Sequence, residues 1–186
     1  MRLFVALEIP AEVRTRLAAL IRELRALAPE VKWVRAENLH LTLKFIGETE
    51  SAKLDAIRAA LAEVRSGHAI ALLVQGLGFF PDDQRPRVLW AGTRVPDHLA
   101  QLAIDTDAVV ASLGFPRERR PFAPHLTLAR LAGTPIPEPL REAIQRDAVR
   151  AFGAWQAREF HLIESRLKPA GAEYTTVQSF PFVSEN

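Results

Sequence analysis

The chain has 186 residues, 48% of them apolar, no cysteine, and 24 basic against 22 acidic side chains for a formal charge of +2. That length and apolar content suffice for a sizeable buried core, while the near-balance of charge excludes a polycation that coats nucleic acid, so any nucleic-acid contact has to be local. The absence of cysteine excludes disulfides, a thiolate nucleophile, thiolate zinc sites and iron–sulfur clusters, and it suits a reducing compartment.

The run Leu3-Phe4-Val5-Ala6-Leu7 reads as a strand that ends at Pro10; it is broken by Glu8 and too short for a signal peptide. No later stretch reaches the about 18 apolar residues of a membrane span. The expectation is a cytoplasmic protein with no membrane attachment. After Pro10, the apolar residues Val13, Leu17, Leu20, Ile21, Leu24 and Leu27 follow the 3.6-residue period of an amphipathic helix. A strand follows at His40-Leu41-Thr42-Leu43. A second helical stretch carries Leu54, Ile57, Leu61 and Val64, and a strand-like run extends from Ile70 to Phe79. The cluster Pro81-Asp82-Asp83-Gln84-Arg85-Pro86 reads as a linker.

Beyond the linker the pattern restarts. Val88-Leu89-Trp90-Ala91 leads to Pro96 and a helix with Leu99, Leu102, Val109, Val110 and Leu113. His40-Leu41-Thr42-Leu43 recurs unchanged 85 residues later as His125-Leu126-Thr127-Leu128, and Pro10 recurs 86 residues later as Pro96. A helix opening at Pro137 and Glu138 carries Leu140, Ile144 and Ala148, and strands are expected near Ala157 to Ile163 and Glu173 to Phe182. Together these predict a duplicated α+β chain forming a single bilobal domain, with pseudo-repeats over about 1–84 and 85–186.

Alternation on a strand sets His40 and Thr42 on one face with Leu41, Leu43 and Phe45 on the other, and sets His125 and Thr127 against Leu126 and Leu128. Each lobe then offers one imidazole beside one hydroxyl, and a pseudo-twofold axis brings the pairs face to face across a cleft. That set suits phosphodiester chemistry. One neutral histidine deprotonates an attacking water while the other, protonated, donates to the departing sugar oxygen; an ordinary pKa of about 6.5 makes both forms accessible near neutrality. The hydroxyls of Thr42 and Thr127 can donate to non-bridging phosphate oxygens. The scheme needs no metal, and which histidine is the acid stays open at this point because the two halves look alike.

The same residues resemble a known family. Trp33-Val34, Glu37 through Glu48, Pro86 through Trp90, Phe122 through Arg130, Glu164-Ser165, Gly171 and Tyr174 resemble the 2H phosphoesterases, named for two His-x-Thr-x motifs, and within them the RNA 2',3'-cyclic phosphodiesterase branch, also described as 2'-5' RNA ligase. The resemblance implies a bilobal fold with two antiparallel sheets lining a central cleft and helices packed outside. It implies hydrolysis of a terminal 2',3'-cyclic phosphate to a 2'-phosphomonoester without metal or cofactor, with reversible 2'-5' ligation as an associated activity. It also implies that His40 is the proton donor and His125 the acceptor. The expected partners are RNA ends or nucleoside 2',3'-cyclic phosphates, with no obligate protein partner.

Two further phosphate-binding candidates follow. Arg130 matches the family's arginine after the second motif, but strict alternation turns it away from His125, so it reaches the site only through a bulge or at a strand end. Lys44 shares the His40 face by alternation, where it either helps hold the phosphate or is a solvated edge lysine. Its counterpart is Ala129. Arg117, Arg119 and Arg120, and Arg85 with Arg87, are basic runs that either track an RNA backbone or form solvated loops. Trp33, Phe79, Phe80, Trp90 and Tyr174 are candidates to stack on a base or to fill the core. His68, His98 and His161, outside the motifs, read as structural or surface residues. A 2-His-1-carboxylate metal site is disfavoured because the motifs carry Thr where such a site needs Asp or Glu, and no Gly-x-x-x-x-Gly-Lys-Ser/Thr loop is present for a P-loop enzyme. The alternatives kept open are a non-catalytic module that binds RNA ends or a nucleotide, and the same chemistry on 2'-5' oligoadenylate or ADP-ribose cyclic phosphate.

Overall fold

The computed structural model describes residues 1–66, 68–131, 135–169 and 171–182; the last four residues of the second expected repeat lie outside these. In chain order the elements are β1 (Arg2–Glu8), α1 (Ala11–Leu27), β2 (Lys32–Trp33), β3 (His40–Glu48), α2 (Leu54–Ala62), β4 (Ile70–Phe80), β5 (Val88–Arg94), α3 (Asp97–Ser112), β6 (His125–Arg130), α4 (Glu138–Arg146), β7 (Ala151–Ala157), β8 (Glu159–Lys168) and β9 (Gly171–Pro181). No helix among the described residues is long and apolar enough to cross a membrane.

The helices follow their apolar stripes. In α1 the buried residues are Val13, Leu17, Leu20, Ile21 and Leu24, and in α3 they are Leu99, Leu102, Ala103, Thr106 and Val110. Pro10 and Pro96 sit in extended backbone just before each helix, and Glu12 and Asp97 place a negative charge at the positive end of the helix dipole. Ala28, which precedes Pro29, leaves the helical region at φ −151° and ψ 73°, as a residue before proline tends to do. Gly114 ends α3 with φ +89°, donating its N–H to the Ala111 carbonyl at 2.9 Å. The strand expected from Ala157 to Ile163 is β8, which begins at Glu159, and β7 before it was not expected. Alanine and glycine in β7 mask its strand character, and they are there for packing: a Cβ on Gly153 would meet Val13 of α1 at 2.9 Å.

All strands pair antiparallel in the order β7-β4-β5-β6-β3-β1-β8-β9, with β2 on the far end of β6, and the sheet curls into a half-barrel. The order interleaves the chain. β4 pairs with β5, while β8 returns to pair with β1. The expected two sheets are therefore the halves β3-β1-β8-β9 and β6-β5-β4-β7, and they meet through a single pair, Leu41 with Leu126. Both leucines are fully buried in the main core, which gathers α1 to α4 on one face of the sheet. The opposite face carries a small separate cluster of Phe4, Ala6 and Ile163 with Tyr174 packed on it.

The register contains two matching irregularities. Between β1 and β3, Val5 faces Lys44 and Ala6 faces Thr42, which leaves Leu43 as an extra residue. Between β5 and β6, Leu89 faces Ala129 and Trp90 faces Thr127, which leaves Leu128 extra. Each is a β-bulge, and each inverts the alternation beyond it. This corrects two expectations. Lys44 turns into the core, 5% exposed, where its ammonium donates to Asp107 Oδ1 at 2.5 Å and to the Pro116 carbonyl at 2.6 Å, so it does not face a phosphate beside His40. Phe45, expected in the core, is 59% exposed and lies with its ring centroid 6.2 Å from that of Phe4.

Because one rung joins the halves, Leu41→Ala and Leu126→Ala are each expected to cost about 2–5 kcal/mol. Their double-mutant cycle should show a coupling of about 0.5–3 kcal/mol in urea unfolding. Strictly additive costs would mean that the two leucines do not act as one joint.

Candidate active site

His40 and His125 each open a strand, and the Leu41–Leu126 rung sets how they meet. Carried one residue to either side, that register puts His40 opposite Thr127 and Thr42 opposite His125. The two histidines then lie on the diagonal, where separations in an antiparallel pair are about 7–8 Å. All four side chains turn to the face away from the helices and are half-buried there. The bulge at Leu128 returns Arg130 to the same face, which is the condition that alternation had set for it.

Both rings are held alike. His40 Nδ1 lies 2.6 Å from the Asn38 carbonyl and His125 Nδ1 lies 2.7 Å from the Ala123 carbonyl, each two residues upstream. A carbonyl only accepts, so Nδ1 carries the hydrogen in both rings and Nε2 is left to give or take a proton. Asn38 is itself pinned, its side-chain amide donating to the Ala172 carbonyl at 2.7 Å.

Aromatic neighbours enclose the rings. Phe4 and Tyr174 lie 4.6 and 5.2 Å from His40 between centroids, and Phe80 stands edge-on to His125 at 4.9 Å. Phe80 in turn packs at 5.3 Å from Trp90. Trp90 lies flat on the sheet because its neighbours are glycines: a Cβ on Gly78 would stand 2.4 Å from the indole, and one on Gly92 would stand 3.1 Å from it. Of the aromatic candidates, Phe80, Trp90 and Tyr174 thus face the site. Phe79 packs against the main core, as does Trp33, whose indole N–H donates to the Ala28 carbonyl at 2.9 Å.

The electrostatics follow from this enclosure. Burial pushes the His40 pKa from 6.5 down to about 4; the Asn38 carbonyl opposes that shift, and the charges of Arg130 and His125 add to it. His125 is also lowered, first by burial and then by Arg130 and Arg120, with the Ala123 carbonyl opposing. Burial raises Tyr174, against the charges of Arg130 and Arg2. Arg130 therefore acts on both imidazoles. Without an anion, the site combines two neutral histidines with one fixed cation, a charge state that suits an incoming phosphate.

Among the described residues no three histidine, aspartate, glutamate or cysteine side chains gather as a metal-binding group. His161 is 6% exposed with Nδ1 3.0 Å from Ser179 Oγ, and His68 and His98 sit 6.5 Å apart between centroids at the starts of β4 and α3. The reading of the sequence missed Phe4, Asn38 and Ala123. Phe4 looked like any core residue of an apolar strand. Asn38 and Ala123 act through backbone carbonyls, which leave no side-chain signature, although their positions share the 85-residue offset of the histidines.

Comparison with known proteins places this arrangement. The model of a family described as LigT-like phosphoesterase matches residues 7–90 and 93–174. The chain belongs to this family. A protein of Archaeoglobus fulgidus named RNA 2',3'-cyclic phosphodiesterase is 34% identical over 180 residues, 97% of this chain and 99% of that protein. One of the same name from Methanothermobacter thermautotrophicus is 31% identical, over 96% of this chain and 97% of its own. A crystal structure of a Thermus thermophilus protein superposes with a TM-score of 0.83 at 32% identity, covering all of both chains. Crystalline E. coli LigT in complex with 3'-AMP gives a TM-score of 0.76 at 30% identity over 97% of each chain.

The enclosure of His40 has a measurable sign. Between pH 6.5 and about 4 the unfolded chain binds a proton at this residue that the folded chain refuses, so stability falls as pH falls through that window. NMR titration of the free protein should find the His40 ring neutral down to about pH 4. Added phosphate should raise its midpoint and be bound with proton uptake. A midpoint near 6.5 in the free protein would contradict the burial argument.

Proposed function

We propose that the chain is an RNA 2',3'-cyclic phosphodiesterase, opening a terminal 2',3'-cyclic phosphate to a 2'-phosphomonoester. The observation that carries this reading is the pair of imidazoles, each tied through Nδ1 to a carbonyl two residues upstream and each under the charge of Arg130. The names of full-length relatives such as the Archaeoglobus fulgidus protein support the substrate class. RNA ends and nucleoside 2',3'-cyclic phosphates are the partners this reading assigns, and the cytoplasm is the compartment that a cysteine-free chain suits.

In this mechanism the cyclic phosphate lies between the histidines, with Thr42, Thr127 and Arg130 donating to its non-bridging oxygens. His125 Nε2 takes a proton from water, the water oxygen bonds to phosphorus, and the bond to the 3'-oxygen breaks as His40 Nε2 gives that oxygen a proton. The order of the histidines rests on the family resemblance. His40 is the more enclosed, held by both Phe4 and Tyr174, so in this scheme it becomes a proton donor only after the substrate anion has raised its pKa from the low value of the free protein. Lys44 has no part in this scheme.

Purified protein is expected to open a nucleoside 2',3'-cyclic phosphate in excess EDTA with a bell-shaped pH dependence. Phosphorus NMR should identify the product as the 2'-isomer, and a 3'-phosphate would sink the assignment of the leaving oxygen. His40→Ala and His125→Ala should each lower kcat by about 10²–10⁴ while leaving the fold intact. Arg130→Lys should not restore wild-type activity, because an ammonium cannot reproduce the planar two-point contact of a guanidinium with a phosphate.

A further inference from the structure

The ion pair between Lys44 and Asp107 is buried on the helix side of the sheet, with side-chain exposures of 4% and 14%. Withdrawing two charges from water costs several kcal/mol per ion, and an apolar pair of like volume would serve the core as well or better. At the equivalent register position of the other sheet half the residue is Ala129, which packs with no charge at all. Core packing therefore does not explain the pair.

What the pair does hold is a loop. Lys44 donates to the Pro116 carbonyl as well as to Asp107. Asp107 accepts the Glu118 N–H at 3.0 Å through one carboxylate oxygen and the Arg117 guanidinium at 3.1 Å through the other. The Glu118 carboxylate then accepts the N–H groups of Arg119 at 3.0 Å and Arg120 at 3.2 Å. A continuous chain of bonds thus runs from the core of β3 to an exposed turn. That turn carries Arg119 and Arg120 at the surface, with the Arg120 side chain 87% exposed and its Nε 3.6 Å from Glu118 Oε1, on the segment that leads into His125. Arg120 stands five residues before His125 in the chain, and its charge opposes protonation of that ring.

We propose that Pro116–Arg120 is a rigid arm that grips the sugar–phosphate chain of the RNA behind its terminal cyclic phosphate, with Arg119 and Arg120 as phosphate contacts and Lys44–Asp107 as the anchor. The proposal rests on the RNA phosphodiesterase reading and extends it from the reacting nucleotide to the strand that carries it. Exposed arginines on a free loop lose loop and side-chain entropy on binding a phosphate; a backbone fixed by four bonds has lost its share already. Lys44 and Asp107 are positioning residues that touch no substrate.

The test compares kcat/KM for a nucleoside 2',3'-cyclic monophosphate with that for an oligoribonucleotide ending in the same cyclic nucleotide, across a series of salt concentrations. In the double variant Arg119→Ala/Arg120→Ala, the ratio of oligonucleotide to mononucleotide should fall roughly a hundredfold, about tenfold for each of the two charge-assisted contacts. The slope of log(kcat/KM) against log salt for the oligonucleotide should lose about 0.7 for each phosphate contact removed. Lys44→Met should shift ratio and slope the same way with both arginines present. Glu118→Ala, an exposed change that spares the core, should do so too. A purely structural anchor would lower both substrates together and leave the ratio unmoved, which overturns the anchor. If the arginine variant also leaves the ratio unmoved, the arm itself is overturned. A wild type that opens neither substrate overturns the functional reading along with it.

Discussion

One rung of backbone pairing, Leu41 against Leu126, joins the halves of the sheet, and its place at the beginning of both strands determines what the site can be. Antiparallel strands that pair along their length separate their first residues to opposite ends. Here the overlap is so short that both first residues, His40 and His125, stay beside it, each next to the other strand's threonine. Had the halves shared three or four more rungs, the imidazoles would stand a strand length apart. The apolar contact beneath the rung and the spacing of the two imidazoles above it are consequences of the same register, since side chains of neighbouring residues leave a strand on opposite faces.

The two bulges add a second level of control. Each comes one residue after the threonine, and each reverses which face the following side chains take. In one half the device exposes Phe45 and buries Lys44; in the other it delivers Arg130 and buries Ala129. Equivalent backbone thus serves unequal chemistry. One half supplies an apolar enclosure for His40, and the other supplies the cation that both histidines sense. Enclosure and cation both oppose protonation in the free protein, and a bound anion relieves the second. On the proposed function, the fold in this way ties the protonation of the histidines to the arrival of a phosphate.

Much of this was legible in the residues. The helix stripes from Val13 to Leu24 and from Leu99 to Val110 lie in the core as their period required, and the turn-rich segment from Pro81 to Pro86 does connect β4 to β5. Strand β7 was not legible, because the small residues that pack closely against α1 carry no strand signal. Lys44 was misplaced by strict alternation, which has no term for a bulge, and Arg130 reaches the face of the histidines only because β6 carries one. An extra residue in a strand shows itself only against the partner strand that leaves it unpaired.

The sequence by itself determined the chemistry on offer: two histidines and two threonines at one spacing in two copies, with a periodicity that assigns them to strands and sets each pair opposite its leucines. That follows from local geometry, which repeats every two residues in a strand and every 3.6 in a helix. Only the tertiary structure decided which basic residue joins them, which aromatic rings enclose them, and how far apart they stand. Those depend on register between segments as distant in the chain as β3 and β6, and on the burial of Lys44 against Asp107 63 residues away. Pairing energies between remote segments set such features, and no local pattern records them.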